Sequence, residues 1–225
     1  VYQKLHNYCV VDLGGCYLDI LKDRLYTTGA KSLPRRSAQT AMWHILEAFV
    51  RWIAPVLSFT ADEIWQLMPG KQGASVFAQA WYEFPAMPAS GVDWAQLLVA
   101  RESVRKALEG LRASGQIGSG LNAEVKLFAD GALFDVLKSL GSELRFWFIP
   151  SEAGAASAAA APQDTQRFEL EQGGSLGLIV TPSAHTKCER CWHQRVEVGA
   201  QAEHPTLCAR CVDNVSGRGE TRQYV

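Results

Sequence analysis

No stretch of eighteen apolar residues occurs in this sequence, so nothing in it reads as a membrane-spanning helix. An excess of one charge is also missing: 22 Lys and Arg face 23 Asp and Glu. That excludes binding of nucleic acid through global positive charge, and any such surface must be local. No secretory leader is recognisable, which argues against an oxidised, disulfide-stapled protein and for a cytoplasmic one. Gly-rich phosphate loops, a nucleophile elbow and an open metal site are all absent. The chain is therefore not expected to be catalytic by itself. It opens at Val1 in the middle of a helical pattern and reads as a piece excised from a longer protein.

What is present begins with 225 residues and a 48% apolar fraction, enough for one large or two to three small domains with real cores. The strongest local signal lies near the end. Cys188 and Cys191 enclose two residues, as do Cys208 and Cys211, and sixteen residues separate the pairs. A two-residue gap lets both thiolates of a pair turn toward one point, and two such knuckles close a tetrahedron around one structural zinc ion. Two disulfides or a redox dithiol are poorer readings. Cys9 and Cys16 fall on one apolar helix face and read as core thiols. His185, His193 and His204 surround the four cysteines but are not needed as ligands. Arg190 and Arg210 occupy matching places inside the knuckles and would offset the negative charge of a zinc tetrathiolate. Trp192 either covers the small finger or stacks on a base. From 183 to 225 six basic residues face five acidic ones, so the finger is no strongly basic clamp.

The remaining chain divides by periodicity. Residues 1–28 read as a helix, with apolar positions three and four apart and Gly14–Gly15 marking a bend or a close crossing. A second helix spans about 35–54, ended by Pro55. Thr60 and Glu63 form a capping box for a short third helix that ends at Pro69. Three amphipathic helices with short joins imply an antiparallel bundle. Between Lys22 and Arg36 the chain carries Lys22, Arg24, Lys31, Arg35 and Arg36 against Asp23, a local balance of +4. Such a run can grip phosphates, or can simply be a solvated face. Residues 70–92 read as a surface connection whose aromatics, Trp81, Tyr82 and Phe84, pack it down. A helix over 93–114 with Asp93 as N-cap follows, then a strand over 123–129, a helix over 131–140 and a strand over 144–150. Residues 151–162 are alanine-rich and read as a mobile loop. Strands over 167–170 and 176–182, turned at Gly173–Gly174, lead to the finger. The expected class is α+β: a helical bundle over 1–69, a connection over 70–92, a small α+β junction domain over 93–182 and a zinc finger over 183–225.

Several of these runs resemble one family. KCERCWHQRVEVG (187–199) and HPTLCARCVDNVSGRGETRQYV (204–225) resemble the C-terminal zinc finger of bacterial isoleucyl-tRNA synthetases. A related finger occurs in formamidopyrimidine-DNA glycosylases, so the finger alone leaves both open. DILKDRLYT (19–27) and RRSAQTAMWHILEAFVRWIAPVLSFTADEIW (35–65) resemble the helical anticodon-binding domain of class I synthetases for branched aliphatic amino acids, with isoleucyl the nearest. VRKALEGLRASGQIGSGLNAEV (104–125) resembles their junction, where Gly120 and Asn122 replace the Ser and Glu often found there. The HIGH and KMSKS signatures of ATP handling are absent. The resemblance implies a monomeric ligase. The whole enzyme would use ATP to join isoleucine to its tRNA and would edit misacylated valine. This piece would bind the anticodon end, with Lys22, Arg24, Lys31, Arg35, Arg36 and Trp192 as candidate RNA contacts. A DNA-repair module and a zinc-stabilised structural domain remain the alternatives from other classes.

Overall fold

The computed structural model describes residues 1–70, 73–87, 89–170 and 174–225. The chain mixes helix and sheet and divides into two compact units, each with its own core. One comprises Val1–Leu25 and Ala30–Ala89; the other comprises Tyr26–Gly29 and Ser90–Val225.

The first unit is helical. The long opening pattern resolves into α1 (Tyr2–Asn7), a π-helical stretch (Tyr8–Tyr17) and α2 (Leu18–Thr27). Gly14 and Gly15 sit in the π-helical stretch rather than at a bend. A Cβ on them would stand 3.1 Å from the Cys9 carbonyl oxygen and 3.0 Å from that of Val10. In the wider π winding these carbonyls, five residues back, crowd the position a side chain would take, and glycine relieves the crowding. Helix α3 (Leu33–Ile53) begins with Pro34 in its first turn and Ser32 as N-cap, the Ser32 Oγ accepting from the Arg35 N–H at 3.4 Å.

Helix α4 (Ser58–Leu67) starts two residues before the expected box, so Thr60 lies inside it. Its N-cap is Leu57, without a side-chain cap, and Ser58 Oγ instead donates back to the Ala54 carbonyl at 3.0 Å. The turn before α4 is closed by Val56 and Leu57 N–H groups donating to the Ile53 carbonyl at 2.9 and 2.7 Å, which starts the helix ahead of Thr60. The core of this unit is Val50, Ile53 and Ala54 of the α3 end with Ala61, Trp65, Met68 and Val76, and Leu5 of α1 packs against it. Among the connection's aromatics, Tyr82 and Phe84 lie on α3. Tyr82 Oη and His44 Nδ1 are 2.5 Å apart, Phe84 tilts on Trp52, and Arg51 lies over both Tyr82 and Trp65 while paired with Glu47 at 2.5 Å. Trp81 is exposed.

The second unit holds α5 (Trp94–Ala113), β1 (Ala123–Ala129), α6 (Gly131–Leu140), α7 (Leu144–Phe148), β2 (Glu152–Ser157), β3 (Gln166–Glu169) and β4 (Ser175–Pro182). Four strands form one sheet in the order β2-β1-β4-β3. β2 runs parallel to β1, and the other pairs are antiparallel. Two expectations are corrected here. The run over 144–150 is a short helix, not a strand. Its residues Leu144, Phe146, Trp147 and Phe148 are buried on every side, so no face shows periodicity. Trp147 Nε1 donates to the Leu97 carbonyl at 3.1 Å, and the buried Arg101 donates to the Trp147 carbonyl.

The alanine-rich run is no mobile loop. Its first half is β2, paired with β1 from Glu124↔Glu152 to Ala129↔Ser157, and Ala158–Ala160 follow as a 3-10 turn. Alanine and glycine suit a strand covered by α6 and α7. Polar pins fix both its ends. At the start, Ser151 N–H donates to the Ala123 carbonyl at 2.9 Å. At the far end, Asp130 Oδ1 accepts from Ser157 Oγ at 2.9 Å and from Ala158 N–H at 3.1 Å. The expected Gly173–Gly174 turn falls on Gly173, outside the described residues. No helix among the described residues is long and apolar enough to cross a membrane.

Candidate metal centre and nucleic-acid interface

Two local folds bring the cysteines together. The first knuckle is the turn of a two-stranded ribbon, β5 (Thr186–Lys187) and β6 (Gln194–Arg195). Cys188 N–H donates to the His193 carbonyl at 2.8 Å, and Trp192 N–H donates to the Cys188 carbonyl at 2.9 Å. Trp192 takes the left-handed backbone (φ 67°) that closes the turn. In the second knuckle, Cys208 is the N-cap of α8 (Ala209–Ser216) and Cys211 lies in its first turn. Glu189 N–H donates to the Thr206 carbonyl at 3.1 Å and joins the two knuckles.

The four sulfurs lie within 4.8 Å of one another, and all four residues are buried. Cys191 Sγ and Cys208 Sγ are 3.7 Å apart. A zinc tetrahedron with ~2.3 Å bonds places its sulfurs ~3.8 Å apart. Cys208 N–H donates to Cys188 Sγ at 3.3 Å, as suits a sulfur carrying charge. The neighbouring Cys191 and Cys211 thiols pull the Cys208 thiol down to about 3. Cys191 and Cys208, together with burial, push that of Cys211 far up. Four thiols crowded at one point cannot all ionise without a cation between them. The donor set and its spacing fit a closed, soft tetrahedral site with no open position for substrate.

Among the described residues no histidine joins the sulfur cluster, although the His193 side chain hydrogen-bonds Cys191. His193 is buried with its ring edge-on to Phe146 at 5.9 Å, His185 Nε2 is 3.5 Å from Glu124, and His204 Nε2 is 3.3 Å from Ser216 Oγ. Among the described residues, the cluster of possible ligands is the four cysteines. Apolar cover for them comes from Val198 and Leu207. Trp192 does not supply it: its side chain remains 59% exposed, with Lys187 Nζ 5.3 Å above the ring.

A set of contacts that the sequence does not announce anchors the finger to the sheet. Arg195 donates to Glu152 and, at 3.2 Å, to the Ser151 carbonyl, while Gln194 N–H donates to Ser151 Oγ at 2.5 Å. Within the finger, Glu220 Oε1 accepts from Arg210, Arg222 and Asn214 at 3.0, 3.0 and 3.1 Å. The Glu143 carboxylate takes the backbone N–H groups of Gln223, Tyr224 and Val225 at 2.7–2.8 Å. Arg145, Arg210 and Arg222 lie around the Phe146 ring at 4.7, 5.0 and 3.6 Å. Burial, then the like charges of Arg195 and Arg210, lowers the Arg145 pKa.

The basic run occupies the end of α2 and the start of α3. Lys22 is exposed and pairs with Asp19 at 3.0 Å; Arg24 is half-buried in the last turn of α2. Lys31 and Arg36 are exposed, and Arg35 is half-buried in the first turn of α3. Lys187 and Trp192 form the exposed corner of the first knuckle, in the other unit.

Residues 1–127 match the family described as "Anticodon-binding domain of tRNA ligase", and residues 187–214 match "Zinc finger found in FPG and IleRS". Proteins named isoleucine--tRNA ligase are similar across the chain. One from Nitrosococcus oceani is 52% identical over 229 residues, covering 100% of this chain and 24% of the relative. Another, from Thioalkalivibrio sulfidiphilus, is 50% identical with the same coverage. One from Legionella pneumophila is 49% identical over 227 residues, again 100% and 24%. The chain thus spans about a quarter of the length of the curated relatives it matches.

Proposed function

The chain belongs to the family of anticodon-binding domains of tRNA ligases, and from that premise we propose that it is the tRNA-recognition part of an isoleucine–tRNA ligase. The observation that carries this reading is the continuity of two matches in one chain, an anticodon-binding domain followed by a four-cysteine finger. A glycosylase finger accounts for the second match and leaves the first without a reason. The whole enzyme would attach isoleucine to its tRNA at the cost of ATP and edit misacylated valine, as a cytoplasmic monomer. Those steps would belong to chain outside these residues. In the layout we favour, 1–69 is an antiparallel helical bundle, 70–92 a connection, 93–182 a junction domain and 183–225 the finger.

Chemically, this part would position and read. Lys22, Arg24, Lys31, Arg35 and Arg36 would neutralise phosphates of the anticodon stem-loop, and Trp192 would offer a flat face to an unstacked base. One zinc ion, held by Cys188, Cys191, Cys208 and Cys211, would supply cross-linking of the finger rather than catalysis. The test is binding to isoleucine tRNA and to the same tRNA with a changed anticodon, each at two salt concentrations. Tighter binding to the true anticodon at both salts is expected. Equal, salt-sensitive binding of the two would reduce the role to phosphate contact.

A further inference from the structure

The two metal knuckles converge on one distant residue. Each Cys-x-x-Cys pair holds an arginine just before its second cysteine, Arg190 and Arg210. Arg190 Nη1 donates to the Thr27 backbone carbonyl across 163 residues of sequence, and Arg210 Nη1 donates to Thr27 Oγ1 at 3.1 Å across 183. Thr27 is 4% exposed and Thr28 2%, so both contacts are shielded from water. Thr27 ends α2, where backbone carbonyls lack partners inside the helix and carry the negative end of its dipole. A guanidinium suits that position.

Arg210 is less at home by local rules, because it stands in the first turn of α8, where the helix dipole opposes a cation. Glu220 offsets that opposition, and the negative charge of a metal tetrathiolate beside it would add to the offset. Residues Tyr26–Gly29 cluster with the sheet and finger, whereas the chain on both sides of them, to Leu25 and from Ala30, belongs to the other unit.

We propose that Arg190 and Arg210 are positioning residues through which the metal centre fixes Tyr26–Gly29, the end of α2 and the start of its connection to α3. The direction of both guanidiniums is set by knuckles that close around the metal. Metal occupancy is thereby felt at the connection from which the Lys22–Arg36 run extends in both directions. The inference rests on the zinc reading above, and its test separates the two. Hydrogen exchange of amides 26–30 is followed in the intact protein with zinc, after chelation, and in the zinc-loaded double variant Arg190→Met/Arg210→Met, with metal content measured alongside. Thr27→Val, which removes the side-chain hydroxyl that accepts from Arg210 and keeps the backbone carbonyl that accepts from Arg190, serves as a milder variant.

The expected result is one zinc per chain in every variant. Exchange at 26–30 rises about tenfold or more in the double variant and after chelation, and to a smaller degree in Thr27→Val. Unchanged exchange in the zinc-loaded double variant would overturn the inference and leave the zinc reading standing. Loss of zinc from the double variant would also overturn it, because the arginines would then be supporting the centre itself. A wild-type protein without zinc would overturn the zinc reading, and this inference with it.

Discussion

A zinc tetrathiolate tolerates little substitution, because each sulfur removed leaves three buried groups and an ion short of one partner. Cys191→Ser is expected to weaken zinc binding by more than about 100-fold, since losing even an outer partner costs about 10–100-fold; chelator competition reads this directly. Trp192 should behave in the opposite manner. It is largely exposed and stands outside the cysteine core, so Trp192→Ala should keep zinc and thermal stability. If it stacks on a base, tRNA affinity should fall by about 1–3 kcal/mol. Equal tRNA affinity of the variant and wild type would remove Trp192 from the recognition surface. The cysteines were legible because their geometry is local: two residues between thiols dictate a turn whatever surrounds it. Thr27, Glu143 and Glu220 were not. Each is an ordinary residue in an ordinary segment, and each acquires its role from partners brought near by the fold. Glu143, for instance, holds three amides 80–82 residues away.

Elements were legible wherever one face was apolar and the other wet. Helix α5 is the clear case, and its N-cap is a test of it. Asp93 Oδ1 accepts from Ala95 and Gln96 N–H at 3.1 and 3.2 Å, and Oδ2 accepts from the Gln96 side chain at 2.8 Å. The Gln96 side chain first, then the backbone amides, hold this carboxyl below its ordinary value. A lowered folded value means the unfolded chain binds the proton more readily. The cap's contribution is therefore present above the ordinary carboxylate range and lost as pH falls through the lowered value. Asp93→Ala should lower the melting temperature at neutral pH and flatten this acid limb, which a series of melts across pH would show.

The sheet offers a steric test. A Cβ at Gly177 of β4 would meet Thr165 Cγ2 at 2.8 Å and Phe128 Cβ at 3.1 Å, so Gly177→Ala should cost about 1–3 kcal/mol in a denaturant titration. Where pattern failed, burial was the cause. Helix α7 buries four of its five residues, all but Arg145, and so short a mostly apolar run does not distinguish strand from helix. β2 is alanine-rich because α6 and α7 cover it, a reason that becomes visible only once they are in place.

At the scale of the molecule, the sequence pointed to a helical part followed by mixed structure ending in a metal site. It could not indicate that four residues, Tyr26–Gly29, leave the helical unit for the other. The division has a thermodynamic consequence. The helical unit buries its own core around Val50, Trp65 and Met68 and contains none of the four clustered cysteines. The other unit carries the metal knuckles, with Arg195 and Glu143 bolting them to the sheet side. Metal that binds only the folded knuckles stabilises that unit by mass action. The binding energy of a structural zinc, about 10–16 kcal/mol in isolated fingers at neutral pH, is as large as the whole stability of a typical domain, about 5–15 kcal/mol. Unfolding should therefore not be two-state. Calorimetry of the zinc-loaded chain should resolve two transitions, and chelation should shift one strongly downward while the other stays within a few degrees. Far-ultraviolet dichroism should retain about half of its helical signal after the shifted transition, since α1 to α4 belong largely to the unit without metal and α5 to α8 to the other. A single transition that moves as a whole on chelation would mean that the two cores share their stability, and the division into independent units would fail.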